Sequence, residues 1–256
     1  MRSSHCLLVV FSVACLADAP PFFSEGPRPE QANLTFDGLL LVQPKYEGAS
    51  GNKASVFPAI TYDAPNGFFI DATSGMGFNL SRNPAFEIGP RLTLDMGRDE
   101  PDALHGMGKM PVTADAGFFA DVYLSEQFGF QSSFRYGAGY HHDGAVIDVG
   151  ASYAFVAHEE TRVSLDLSAS WGNRQYLQSY FGVDAGQAAR SAYAPYQPSA
   201  GWYQSRVGLS ANLPIDKVWS IYGTLGRAHL TDRAARSPYV VNRNPADLLF
   251  AVSYKY

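Results

Sequence analysis

The sequence predicts an all-β fold, a transmembrane antiparallel β-barrel, on three observations. Apolar and polar residues alternate with a period of two through most of the chain after residue 33. The final stretch is itself such a run and ends on an aromatic residue, and the first stretch has the layout of a secretory signal. A period of two gives a strand two chemically different faces. In a membrane barrel the outward apolar face meets lipid and the inward face meets a polar lumen.

Taken in chain order, Arg2 supplies a positive start, Cys6 to Ala17 is an apolar run, and Ala17-Asp18-Ala19 is an A-x-A-like cleavage site. Residues 1–19 therefore read as a signal peptide, because the run is shorter than the roughly 20 residues a membrane helix needs. A lipoprotein cut before Cys15 is the alternative, although Ser12 fits poorly there. Both cysteines, Cys6 and Cys15, fall inside this leader, so cleavage after Ala19 leaves a mature chain without thiols. Residues 20–32 carry four prolines before Gln31 and read as an irregular periplasmic tail, and residues 33–256 as the barrel.

The strands come next, in register. Leu34, Phe36, Gly38, Leu40 and Val42 alternate with Thr35, Asp37 and Gln43. Phe86 to Met96, Val112 to Leu124 and Phe128 to Tyr140 repeat the pattern with their even-numbered residues apolar. Ile147 to Phe155, Val163 to Trp171 and Val207 to Leu213 continue it with odd-numbered apolar residues. Ser55 to Tyr62, Phe68 to Leu80 and Val218 to Leu230 are weaker. The last strand sets Leu248, Phe250, Val252, Tyr254 and Tyr256 against Asp247, Leu249, Ala251, Ser253 and Lys255. Phe250, Val252, Tyr254 and Tyr256 are expected to act as the barrel-assembly signal. These are 11 candidates, and a single-chain bacterial barrel has an even number of strands. Twelve is favoured and ten is the alternative: a strand lies within Arg98 to Met110 or after Arg174, or one weak candidate is not part of the wall. Short breaks at Ser125-Glu126, His158-Glu159-Glu160 and Pro214-Ile215-Asp216 read as periplasmic turns. The longer Asn173 to Gly201 and Thr231 to Pro245 read as extracellular loops.

Composition agrees. Aromatics make up 14% of the chain, with 15 Tyr and 17 Phe, as interfacial girdles require. A net charge of −5 without a basic stripe argues against a nucleic-acid partner. The polar faces are built of Gly, Ser, Asp and Arg with few Lys, which suits a narrow lumen better than the open surface of a soluble sandwich. Asp37, Glu87, Arg91, Asp95, Asp115, Asp121, Arg135, Asp148, Arg162, Asp166 and Arg206 are expected to face that lumen. At 10 to 12 strands, opposite charges that pair and fill the interior are favoured over a wide pore. No Gly-x-Ser-x-Gly nucleophile elbow occurs. His141-His142-Asp143 reads as a solvated turn, since neighbouring strand residues point apart and converge poorly on a metal. No catalytic, cofactor-binding or metal residue is assigned, and an enzyme is not expected.

One region is more specific. Tyr180-Phe181-Gly182-Val183, then Gln187-Ala188, Ser191, Tyr193 and Tyr196 resemble the signature loop of the MltA-interacting protein (MipA/OmpV) family of outer-membrane proteins. Pro44-Lys45-Tyr46-Glu47-Gly48, Gly97-Arg98-Asp99-Glu100 and Ser237-Pro238 match in the same order, and Ser191-Ala192 departs from the family's usual Ser-Gly. The resemblance implies a Gram-negative outer-membrane barrel in contact with lipid. It also implies a scaffold that holds a murein lytic transglycosylase together with a penicillin-binding protein. A narrow solute channel or a surface adhesin is the alternative. The signature loop is expected to fold over the barrel mouth, with Tyr180, Phe181 and Tyr193 packed on its rim.

Overall fold

The computed structural model describes residues 28–158 and 161–256. The expected signal peptide, both cysteines and most of the proline-rich leader lie outside them. Twelve antiparallel strands close into a single barrel. They are β1 (Asn33–Pro44), β2 (Asn52–Asp63), β3 (Phe68–Asp71), β4 (Gly75–Phe78), β5 (Phe86–Asp95), β6 (Thr113–Tyr123) and β7 (Phe128–Ala138). β8 (Gly144–His158), β9 (Thr161–Gly172), β10 (Gly201–Pro214), β11 (Trp219–Leu230) and β12 (Ala246–Lys255) complete the wall. Every strand pairs with its chain neighbours. β12 then returns to β1, with Lys255 opposite Thr35 and Leu248 opposite Val42.

The twelfth strand is not where the sequence placed it. Residues 98–110 contribute one bridge, Arg98 to Met110, and a 3-10 turn at Asp102–Leu104. The stretch from Arg174 is helical: α1 spans Arg174–Phe181 and α2 Ala185–Arg190. The extra strand comes from Phe68 to Leu80, which is a hairpin of β3 and β4 rather than one strand. The Asp71 carboxylate accepts the N–H groups of Thr73 and Ser74, both at 2.7 Å, and Gly75 takes a φ of +92°. Asx-type bonding and a left-handed glycine are what a tight reversal needs. The outward residues Phe68 and Ile70, then Met76 and Phe78, all keep even parity. The alternation therefore runs unbroken across the turn and conceals it.

A second difference lies at the top of β7. The sequence ran this strand to Tyr140 with Ala138 and Tyr140 outward. The ladder to β8 slips between Tyr136 and Ala138, where Gly137 has a φ of +134°. A bulge redirects the side chains beyond it. Ala138 is buried, and the Tyr140 hydroxyl donates inward to the carbonyls of Met107 and Gly108.

Elsewhere the two faces separate as alternation requires. Phe118, Leu167, Leu209 and Phe250 point outward and are exposed, while Asp115, Asp148 and Asp166 point inward and are buried. An outward apolar face of this kind is what the lipid-facing wall of a membrane barrel presents. Among the described residues no helix is long and apolar enough to cross a membrane. Short turns follow β6 and β10 at one end of the barrel. The long connections after β5, β9 and β11 gather at the other, called here the turn end and the loop end.

This register makes an asymmetric pair of substitutions informative. Leu167 is 53% exposed, while Asp166 is 1% exposed and accepts from Ser210 Oγ at 2.5 Å and Ser164 Oγ at 3.2 Å. Arg162, a lumen-facing cation near Asp166 in sequence, instead donates to the Glu126 carbonyl at 2.8 Å. Leu167→Arg should destabilise the barrel by about 2–4 kcal/mol near the bilayer midplane. Asp166→Asn should cost less, because the amide oxygen still accepts from one serine hydroxyl and the amide N–H donates to the other serine oxygen. Urea unfolding in lipid vesicles checks this, and a larger loss from Asp166→Asn would contradict the assigned faces.

Candidate functional site

The lumen has three zones, and buried side chains fill most of the loop end. α1 starts at Asn173, whose side chain accepts the Tyr176 N–H at 2.8 Å and donates to the Asp143 carbonyl at 2.9 Å. That cap ties the helix to the β7–β8 turn and sends one face inward. Tyr176, Leu177, Tyr180 and Phe181 are buried with Val146, Tyr203 and Leu230 of the wall and with α3 (Asp232–Ala235). The Tyr176 ring lies 4.7 Å from that of Tyr180 and 5.5 Å from that of Tyr203. Aromatic rings fill such a mouth efficiently because each buries a large area at little rotamer cost.

α2 continues the lid. Asp184 Oδ1 accepts the Gln187 N–H at 2.7 Å, and Gln187 Oε1 accepts the Asp184 N–H at 2.9 Å, a reciprocal capping box. The Gln187 amide then donates to the Met107 carbonyl at 2.8 Å, joining this loop to the one after β5. Gly106 permits the approach: a Cβ there would sit 2.1 Å from the Arg190 carbonyl oxygen. Val183 is fully buried and bridges to Tyr196, Gly182 ends α1, and Ser191 Oγ accepts the Tyr193 N–H at 3.3 Å. The signature residues divide between two clusters. Tyr180 and Phe181 pack in the first. Val183, Ala188, Tyr193 and Tyr196 gather in the second with Tyr239, whose ring lies 5.7 Å from that of Tyr193.

Arg98 is the hub that residue patterns did not single out. It is 5% exposed and donates to the Tyr239 hydroxyl at 3.1 Å and the Tyr140 hydroxyl at 3.0 Å. Its guanidinium also lies 5.6 Å from the Tyr239 ring centre. Tyr239 donates to the Tyr180 carbonyl, and Tyr180 donates to Asp95 on the wall. Three connections, after β5, β7 and β11, thus meet on one buried cation. Tyr46, from the β1–β2 connection, adds an edge-on ring 6.1 Å from Tyr239. The only sequence signal was that Tyr46, Arg98 and Ser237-Pro238 fall in separate pieces of one family pattern. Their convergence needs the closed barrel.

Below the lid is an ionic layer. Arg135 Nε lies 3.5 Å from Asp148 Oδ2 and its Nη1 lies 3.8 Å from Asp115 Oδ2. Ser170 donates to Asp148 at 2.7 Å, and Arg206 forms a two-point pair with Asp247 at 3.1 and 2.6 Å. Charges taken out of water must be paired in this way. The turn end, in contrast, opens into a cavity of about 780 Å³ that reaches Asp37, Thr61 and Asp71 on one side and Gln131 and Arg162 on the other. The Thr61 hydroxyl stands 2.9 Å from Asp37 Oδ2 and 3.2 Å from Asp71 Oδ2.

The remaining sequence candidates sit apart from this axis. Phe250, Val252 and Tyr254 line the outward face of β12, with Tyr254 4.9 Å from the Trp219 ring, and the Tyr256 N–H donates to the Leu34 carbonyl at 2.9 Å. His141 and His142 are exposed on the β7–β8 turn, where His142 has a φ of +56°. Among the described residues no three His, Cys, Asp or Glu side chains gather as a metal site would require.

The hub predicts how the lid responds to mutation and to pH. Arg98→Met leaves two phenol oxygens and a buried ring without their donor, a loss of about 1–3 kcal/mol. Chymotrypsin should then cut between residues 174 and 200 faster than in the parent, while the barrel stays intact on gels. Burial pushes the Tyr239 phenol from 10.0 up to about 12. A raised acid contributes stability that is complete below its unfolded value and lost through its folded one. Protection should therefore persist to about pH 10 and fall between about pH 10 and 12. Unchanged cleavage in both experiments would remove Arg98 and Tyr239 as the clasp.

The family described as MltA-interacting protein MipA matches residues 38–256, from within β1 to the last residue. The MltA-interacting proteins of Escherichia coli (strain K12) and Shigella flexneri are each 27% identical over 114 residues, 44% of this chain and 45% of theirs. The match thus spans less than half the length of these relatives. Among solved structures, KdgM porin in complex with disordered oligogalacturonate covers 87% of this chain and 99% of its own, with 10% identity and a TM-score of 0.47. The Pseudomonas putida toluene transporter TodX covers 96% of this chain and 94% of its own, with 9% identity and a TM-score of 0.40. With the family match running through the wall strands, both lid helices and the Arg98 and Tyr239 loops alike, the chain belongs to the MltA-interacting protein MipA family.

Proposed function

We propose that this protein is an outer-membrane scaffold whose barrel is an anchor rather than a general pore. In this reading the loop end faces outward and the turn end faces the periplasm. The turn end presents a partner surface to a murein lytic transglycosylase, and through it to a penicillin-binding protein. The observation that carries the reading is the buried lid on Arg98, Tyr180 and Tyr239, with the Arg135 ionic layer beneath it. Together they fill the loop half of the lumen with buried side chains, whereas a solute channel needs a continuous water path. The family name supports the transglycosylase as partner, since the curated relatives are MltA-interacting proteins.

Among the described residues the turn end offers small surfaces: the turns after β6 and β10, with residues 28–32 ahead of β1. A stable interface takes about 800 Å² from each partner, so a contact assisted by the leader or by the lipid surface fits better than a permanent one.

Two measurements on the same preparation test this. Affinity capture from crosslinked envelopes should recover a lytic transglycosylase. Substitutions in the β6–β7 and β10–β11 turns should weaken recovery, and deletion of Gly182 to Pro195 should leave it unchanged. The intact barrel should conduct poorly in planar bilayers, and that deletion should raise its conductance. High conductance in the intact protein would favour a solute channel. Capture lost with the lid deletion would mean that the ends are inverted.

A further inference from the structure

The wall is not equally tall all round. β2 pairs along its whole length with β1, but on its other side it meets β3 only at Tyr62–Ile70 and Asp63–Phe69. β4 pairs with β5 at Met76–Leu92 and Gly77–Arg91, and just past β4 the Leu80 N–H donates to the Ile88 carbonyl at 2.8 Å. The β3–β4 hairpin turns back at Ala72–Ser74, low in the wall, and above it β2 has no ladder partner on that side from Asn52 to Thr61. Neighbouring strands lie about 4.8 Å apart, so two truncated strands leave a notch wide enough for an alkyl chain. Pro58 stands in this edge strand, a position in a sheet that tolerates a missing N–H.

The lumen changes character at the same place. Inward positions of β6 to β10 are mostly Ser, Asp, Arg and Gly. Beside the notch they become Leu39 and Leu41 of β1, Ala59 of β2, Leu249 and Ala251 of β12, with Ala72 at the hairpin tip. These six form one buried apolar cluster, and Phe57 packs against it. Leu39, Ala72, Leu249 and Ala251 are also one wall of the turn-end cavity. An apolar strip inside a polar barrel contributes nothing to holding water or pairing charge.

The rest of that cavity is mostly neutral and polar, with an excess of carboxylates. Asp37, Asp63, Asp71 and Glu126 border it, and Arg162 is the one cation among its described lining residues. On the far wall Gln131 is 7% exposed, and its Oε1 is buried without a hydrogen-bond donor. The unmet acceptor and the excess of carboxylates ask for the same thing, a ligand that donates and carries positive charge. The volume of about 780 Å³ lies in the usual small-molecule range of roughly 300–1,000 Å³.

We propose that this cavity binds a single-chain cationic amphiphile that enters sideways from the membrane through the notch above the β3–β4 hairpin. The hydrocarbon tail lies on Leu39, Leu249 and Ala251, past Ala72. The ammonium head meets Asp37, Asp63 and Asp71. Entry from the side is compatible with a filled loop end, and the site does not depend on the scaffold role. An anionic amphiphile of equal chain length is excluded by repulsion from the same carboxylates.

The test uses the full barrel in phosphatidylcholine nanodiscs and dodecylamine carrying a photoreactive diazirine at the chain end. Label should map to Leu39, Ala72 and Leu249. Unlabelled dodecylamine should compete it away, and dodecanoate should not. Ala251→Trp, which fills the apolar side, should cut labelling at least tenfold, as should Asp37→Asn combined with Asp63→Asn, while heat-modifiable migration shows an intact barrel. If Ala251→Trp fails to insert, Ala72→Trp at the notch gives the same readout. Label confined to outward residues such as Val56 and Leu92, or equal competition by dodecanoate, overturns the proposal.

Discussion

Inside hydrocarbon no water is present to satisfy a backbone amide, so a sheet that crosses a membrane closes on itself and keeps unpaired edges few. Here that requirement falls on the ladder between β1 and β12, where Phe36 opposes Tyr254 and Leu40 opposes Phe250. Closing that seam fixes which residues face inward on every other strand, because a slip of one residue turns a whole strand inside out. The burial of Asp115, Asp148 and Asp166 and the exposure of Phe118 and Leu167 are consequences of that closure. So is the gathering of the long connections at one end.

A barrel of 12 strands is too wide for wall side chains alone to fill and narrower than an open porin. This protein resolves the intermediate width differently along its axis. At the loop end connections supply the missing volume as helices and rings clasped by Arg98. Directly beneath them Arg135 pairs with two aspartates. At the turn end the width is left as a cavity with an apolar side and an excess of carboxylates on the rest. The short β3–β4 hairpin is the other departure from uniformity, since it lowers the wall beside that apolar side.

Much of this is legible in the order of residues alone. Alternation located the long strands, and parity placed all eleven charged residues from Asp37 to Arg206 on the inward face. The even-number rule pointed to twelve strands. What alternation could not show was a turn that preserves parity, which is why Phe68 to Phe78 read as one strand. Nor could it show a bulge such as Gly137, because the residues around a bulge keep their ordinary types while their direction changes.

The sequence by itself determined the class of fold, the lipid and lumen faces, and the loop that carries the family pattern. These are local properties, written in the order of apolar and polar residues. Only the tertiary structure decided that Arg98, Tyr140, Tyr180 and Tyr239 share one clasp. The same holds for the apolar strip of Leu39, Ala72 and Leu249 beside the notch. Those residues are separated by tens to hundreds of positions, and nothing in their own neighbourhoods signals the partner. They meet because twelve strands close on themselves, and closure is a property of the whole ladder rather than of any segment.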